Sequence, residues 1–191
     1  TLNVAVGDQA GVSLTTGVQN TLIGALAGDF LSDADENVAV GYGALSSDAL
    51  GSGSVAIGYL ALQFQNFSSA TDSFNTAVGL EAGRQITTGI QNTIVGGRAG
   101  DALTVGNSNV AIGVNALTTD TKGDRNVAVG HTALATQNFT TTTDAYNVAV
   151  GYDAGGDLTT GKQNTLIGGE AGDTLTTGNN NIAIGYLALQ A

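Results

Sequence analysis

Short apolar runs return along this chain at nearly fixed spacing. The pentad Asn-Thr-Leu-Ile-Gly stands at residues 20–24 and again at 164–168, with Asn-Thr-Ile-Val-Gly at 92–96. Taking its first residue as position one, the pentad begins at Asn3, Asn20, Asn37, Ser54, Asn75, Asn92, Asn109, Asn126, Asn147, Asn164 and Asn181. The intervals are 17, 17, 17, 21, 17, 17, 17, 21, 17 and 17 residues, so a four-unit block of 72 residues overlies the shorter period. Positions two to four predict a three-residue strand with a β-branched bias, as at 4–6, 21–23 and 182–184. Positions two and four share a face, which is expected to line the interior; position three points the other way. Since position three is apolar as well, from Ala5 through Leu22 to Ala183, both faces are expected to be buried.

Position five is Gly and position eight is Ala in all eleven units. A Gly at one fixed phase implies a backbone that needs a positive φ, or that another backbone approaches too closely for a Cβ. Seventeen residues are too few for a strand, a helix and their loops, and the turn-rich remainder lacks a 3.6-residue apolar period. The pattern predicts an all-β fold: one domain over 1–191, a parallel β-solenoid, or β-roll, of eleven coils. At about 4.8 Å per coil the rod would be roughly 50 Å long, with equivalent residues in columns.

Exchanges between units fit a shared core. The first two coils of each block have Gly at position nine and Leu or Ile at position twelve, as in Gly28 with Leu31. The other two have Leu at nine and Asp or Gln at twelve, as in Leu45 with Asp48 and Leu62 with Gln65. One large apolar group per coil is kept either way. Leu22, Ile94 and Leu166 enlarge position three once per block. On the second apolar face they would form an inter-chain surface, because a lone solenoid needs only its interior to be apolar.

Units such as NTAVGLEAGRQITTGIQ (75–91) and NVAVGYDAGGDLTTGKQ (147–163) resemble the repeats of phage and prophage tail-fibre proteins. More distantly they resemble the head repeats of trimeric autotransporter adhesins, which carry an (N/S)xAxG core. The resemblance implies a homotrimer of parallel β-rolls at an extracellular or virion surface, holding or forming a receptor-binding surface. The start at Thr-Leu-Asn suggests a piece of a longer fibre.

Composition narrows the chemistry. A net charge of −11, from five Lys and Arg against sixteen Asp and Glu, repels nucleic acid and anionic membranes alike. No apolar run approaches the ~20 residues that span a bilayer, so membrane insertion is not expected. With one His and no Cys, a Ser/His/Asp or Cys/His catalytic set is hard to build, and His131 falls at a variable turn phase. The carboxylates sit at scattered turn phases, as solubility of an apolar rod requires. No enzyme, cofactor or metal is therefore predicted, although Asp33, Asp35 and Glu36 would be the first place to look for a surface calcium ion. The Thr pairs at 15–16, 87–88, 159–160 and 176–177 invite an ice-binding reading, but adjacent Thr before Gly is turn chemistry.

The two four-residue insertions are the most functional-looking feature. QNFSSATDSFN (65–75) and QNFTTTTDAYN (137–147) share a Phe, a hydroxyl-rich run and an Asp. Phe67 and Phe139, with Asn66, Asn138, Asp72 and Asp144, could present to a cell-surface glycan or receptor. Alternatively each Phe caps the core, the commoner use of such a side chain. Asn66 and Asn138 also match N-x-S/T, which matters only in a glycosylating host. The functional expectation is a non-enzymatic fibre segment; a self-assembling filament and an ice- or glycan-binding solenoid are the alternatives.

Overall fold

A computed structural model describes residues 2–190. Eleven three-residue strands, from Val4–Val6 to Ile182–Ile184, form one parallel sheet in chain order, and no helix forms among the described residues. The register is that of the repeat: Val4, Ala5 and Val6 lie opposite Thr21, Leu22 and Ile23, and so on down the stack. The chain is a β-solenoid of eleven coils, numbered here by their pentads.

Parallel strands need a crossover, and the remaining fourteen or so residues of each coil supply it while hydrogen-bonding to the next coil as they go. The Val4 N–H donates to Asn20 O at 2.8 Å, Gly24 to Val6 at 2.8 Å, Gly11 to Ala27 at 3.0 Å, Thr15 to Ser32 at 3.0 Å and Glu36 to Val18 at 3.0 Å. Two turns fold the coil back within itself, closed by Ala10 N–H to Gly7 O at 3.4 Å and Leu14 N–H to Gly11 O at 3.0 Å. Turning this sharply forces positions five, seven, nine and seventeen to positive φ. At Gly7 φ is 137°, and a Cβ there would come within 2.5 Å of Gly24 O, so Gly is required twice over. Position seven tolerates other residues at strain, including Leu26 (φ 59°), Arg98 (55°) and the β-branched Thr132 (57°). Among the described residues, twenty-four non-glycine residues are left-handed. At about 1 kcal/mol or more each, a single coil could not hold this shape without its neighbours.

Position one is the brace. Asn20 Oδ1 accepts the Asn37 N–H at 3.0 Å, while Asn20 Nδ2 donates across its own coil to Ala34 O at 2.7 Å. Asn109 repeats this with the Asn126 N–H (2.9 Å) and Gly123 O (2.8 Å). A column of Asp could accept but not donate, and would stack like charges in a buried line.

The assignment of faces from sequence is reversed. Position three points into the coil: Leu22, Ile94 and Leu166 are fully buried together with Ala39, Ala56 and Ala111. They therefore do not make the inter-chain face expected of them. Positions two and four point outward, with Ile57 37% and Ile112 38% exposed in the middle of the stack. The reason is width: the coil interior is narrow, and the Ala of positions three and eight marks its inside.

The volume exchange between positions nine and twelve is real, and position three takes part in it as well. A Cβ on Gly28 would meet Leu22 Cδ2 at 2.8 Å, one on Gly172 would meet Leu166 Cδ2 at 2.8 Å, and one on Gly100 would meet Ile94 Cδ1 at 2.9 Å. The large residue at position three thus fills the space that Leu45 or Leu62 fills from position nine elsewhere. Position twelve borders the same space, since a Cβ on Gly28 would meet Leu31 Cδ1 at 2.7 Å and one on Gly83 would meet Ile86 Cδ1 at 3.0 Å; it is apolar at Leu31, Ile86, Leu103 and Leu158 and polar at Asp48, Gln65, Asp120 and Gln137. Leu22→Ala should therefore open a cavity beside two glycines and cost about 2–5 kcal/mol in urea denaturation; a loss below ~1 kcal/mol would mean that the side chain is not the filler described.

Candidate functional site

Two surfaces carry functional signals: the insertions, and the outer face of the sheet. In each insertion the chain leaves position thirteen, buries a Phe, crosses a hydroxyl-rich tip and returns as two residues paired in parallel with the preceding coil. Thr71–Asp72 pairs with Gly51–Ser52, and Thr143–Asp144 with Gly123–Asp124. Phe67 and Phe139 are only 6% and 5% exposed. Phe67 lies over Gly51, where an added Cβ would come within 2.8 Å of its ring, so no larger residue fits beneath it. The packing role is the one these side chains fill. Asn66, Asp72, Asn138 and Asp144 remain exposed; Asn138 Oδ1 accepts the Thr121 hydroxyl at 3.2 Å and Asp144 pairs with Arg125. The insertions thus do not present Phe and polar groups together. Their outward aromatics are Phe74 and Tyr146, the latter with the Arg125 guanidinium 5.6 Å from its ring centre. The sequence signal for them is an aromatic directly before the position-one Asn, at Phe74 and Tyr146.

Beneath each Phe lies a buried carboxylate. Asp48 Oδ1 accepts the N–H groups of Leu50 (3.3 Å), Gly51 (3.0 Å) and Phe67 (3.2 Å), and its Oδ2 accepts Gln65 Nε2 at 2.6 Å. Asp120 does the same with Lys122, Gly123, Phe139 and Gln137. Burial pushes the Asp120 carboxyl above its ordinary 3.8, and the hydrogen bonds from Gln137, Phe139, Gly123 and Lys122 only partly offset this. Both acids are fully buried, and the partners shown for them are backbone N–H groups and a Gln amide.

The remaining candidates are dispersed. His131 is an exposed turn residue stacked on Tyr152 with ring centres 5.6 Å apart. The first Thr of the pairs hydrogen-bonds the next coil's backbone: Thr15 Oγ1 donates to Ser32 O (3.0 Å), Thr87 to Thr104 O (3.1 Å) and Thr159 to Thr176 O (2.9 Å). Those hydroxyls serve coil stacking rather than a free water-ordering array. Asp33 takes the Thr16 hydroxyl and Asp35 Oδ1 the Val18 N–H at 2.7 Å. Among the described residues no three His, Cys, Asp or Glu side chains converge as a metal site.

The outer sheet face is continuous. Positions two and four place two columns of Val, Ile and Thr along all eleven coils, without one charged residue in a chain of net charge −11. The strip measures roughly 50 Å by 10 Å. Beside it runs position six, where Tyr42 and Tyr59 are about half exposed and stack at 5.5 Å. Its footprint of roughly 500 Å² falls below the ~800 Å² per partner of a standard protein interface, and the position-six column beside it widens the surface. Comparison with family models, curated proteins and solved structures finds no match.

Two outcomes follow. Phe67→Ala and Phe139→Ala should each cost about 3–5 kcal/mol in urea denaturation, and a loss below ~1 kcal/mol would overturn their packing role. A carboxyl whose folded pKa is raised contributes stability that is full below 3.8 and is lost as pH rises through the folded value. Relative to Asp120→Asn, the wild-type chain should therefore lose stability between those limits; a gain in denaturation midpoint over the same window would contradict the burial cause.

Proposed function

We propose that this chain is a non-enzymatic structural segment of an extracellular or virion fibre. It assembles with copies of itself through the outer sheet face and projects or forms an attachment surface for a cell-surface receptor or glycan. The observation that carries this reading is the uncharged β-branched strip, an apolar surface that an isolated soluble rod has no reason to keep. Its lack of charge lets strongly anionic copies approach along that face alone.

The likeness of the repeats to trimeric fibre repeats favours three copies around a parallel axis. A rotational trimer closes on itself and leaves the other coil faces, with both insertions, free to point outward. The service is mechanical: continuous hydrogen bonding along a rod resists bending and proteolysis at a distance from whatever anchors it.

Light scattering across dilution tests this. A discrete trimer is expected. Concentration-dependent polymers would favour end-to-end filaments, and a stable monomer would sink the proposal. Ile57→Lys with Ile112→Lys should dissociate the assembly while leaving the β signature in circular dichroism intact, because both side chains already face solvent in the single coil stack.

A further inference from the structure

Units this similar invite a specific error. If one coil is skipped and looped out, the next pentad presents the same strand, brace and Gly in its place. The entropic cost of the loop grows only slowly with its length. The backbone ladder cannot tell one coil from another, and the Asn brace, broken only by Ser54, would not resist the skipping of coil four. A feature that distinguishes neighbours must lie elsewhere.

We propose that the buried chain of hydrogen bonds Asp48–Gln65–Asn75, and its copy Asp120–Gln137–Asn147, pins the register of the coils once per 72-residue block. Gln65 Nε2 donates to Asp48 Oδ2 at 2.6 Å and to Ser54 Oγ at 2.9 Å, and its Oε1 accepts Asn75 Nδ2 at 2.8 Å. Gln137 bridges Asp120 (2.6 Å) and Asn147 (2.8 Å) in the same way. The chain has a direction. A carboxylate only accepts, and the amide offers NH2 on one side and C=O on the other, so the Asp coil must be followed by the Gln coil and then by an Asn coil.

Skipping coil four would leave Asp48, fully buried, facing the position-twelve Ile86 of coil five. Removing one partner of a buried charge costs far more than the net value of a hydrogen bond. Adding stability is not its evident purpose, because the same compartment holds Leu or Ile in the other coils. Both insertions fall in the Gln coils and lower their Phe onto the acid, so the pin is sealed from water at the one place where the coil length also changes.

The chain has no Cys, so introduced thiols report register directly. Val38 lies opposite Val55, and Val55 opposite Thr76, on the outward face. Val38 and Thr76 are thus two rungs apart, about 9.6 Å, beyond disulfide reach unless coil four is skipped. The double variant Val38→Cys with Thr76→Cys, refolded under oxidising conditions, should form almost no intramolecular disulfide with the pin intact. With Asp48→Leu and Gln65→Leu added, the cross-linked fraction should rise several-fold. A fraction unchanged by losing the pin in a folded chain would overturn the proposal. Should the apolar pair fail to fold, the full-length reversal decides. Asp48→Asn and Gln65→Glu should each lower the urea midpoint, and together restore most of the loss by reversing the donor and acceptor of one link. No recovery in the double variant would overturn the directional pin.

Discussion

The spacing between coils, set by backbone hydrogen bonds that run around the whole circumference, is the constraint on which everything else depends. At about 4.8 Å, a rung leaves no room for a Cβ where the chain turns, and the glycine of position five follows directly from that distance. The left-handed residues follow too, because the chain must turn several times in seventeen residues while keeping its N–H and C=O groups aimed along the rod axis. Stability is then a property of the stack: each coil is strained alone and is held by the two beside it, the behaviour expected of a one-dimensional array.

The period, the parallel architecture and the columns were all legible in the sequence, because a residue demanded by stacking is demanded in every coil. Gly24 and Ala27 announce themselves by recurrence. What recurrence does not tell is which side of a three-residue strand faces inward. Val4 and Val6 form a β-branched stripe on one face, a pattern that fits an interior; in a coil this narrow, small side chains mark the inside instead. Leu22 misled too. A large apolar side chain on a second face suggests a partner chain, yet Leu22 fills a hole left by Gly11 and Gly28, eleven and six residues away along the chain.

The candidate sites were legible only as positions. The insertions stood out by length, and their Phe residues by type, but whether Phe67 faces water depends on the space above Gly51, which only the stacked coils create. The Asp–Gln pair was visible as an exchange of Leu for a polar residue at position twelve. Its meaning required seeing that Asp48 and Gln65, seventeen residues apart, lie one above the other. The outer strip was hidden by the misassignment of faces, since positions two and four rather than position three carry the exposed apolar columns.

The asparagine brace also bears on how such a rod ages. Asparagine ordinarily decays when the backbone nitrogen of the following residue attacks its side-chain amide. At Asn3 that nitrogen, on Val4, is held by Asn20 O, and the amide is held by Gly17 O at 2.8 Å. The same two restraints hold Asn20, Asn92 and Asn164, and the next residue is β-branched at every braced position. With no methionine or cysteine to oxidise either, the braced column lacks the usual points of chemical decay. The bonds that hold its shape also protect it from wearing out.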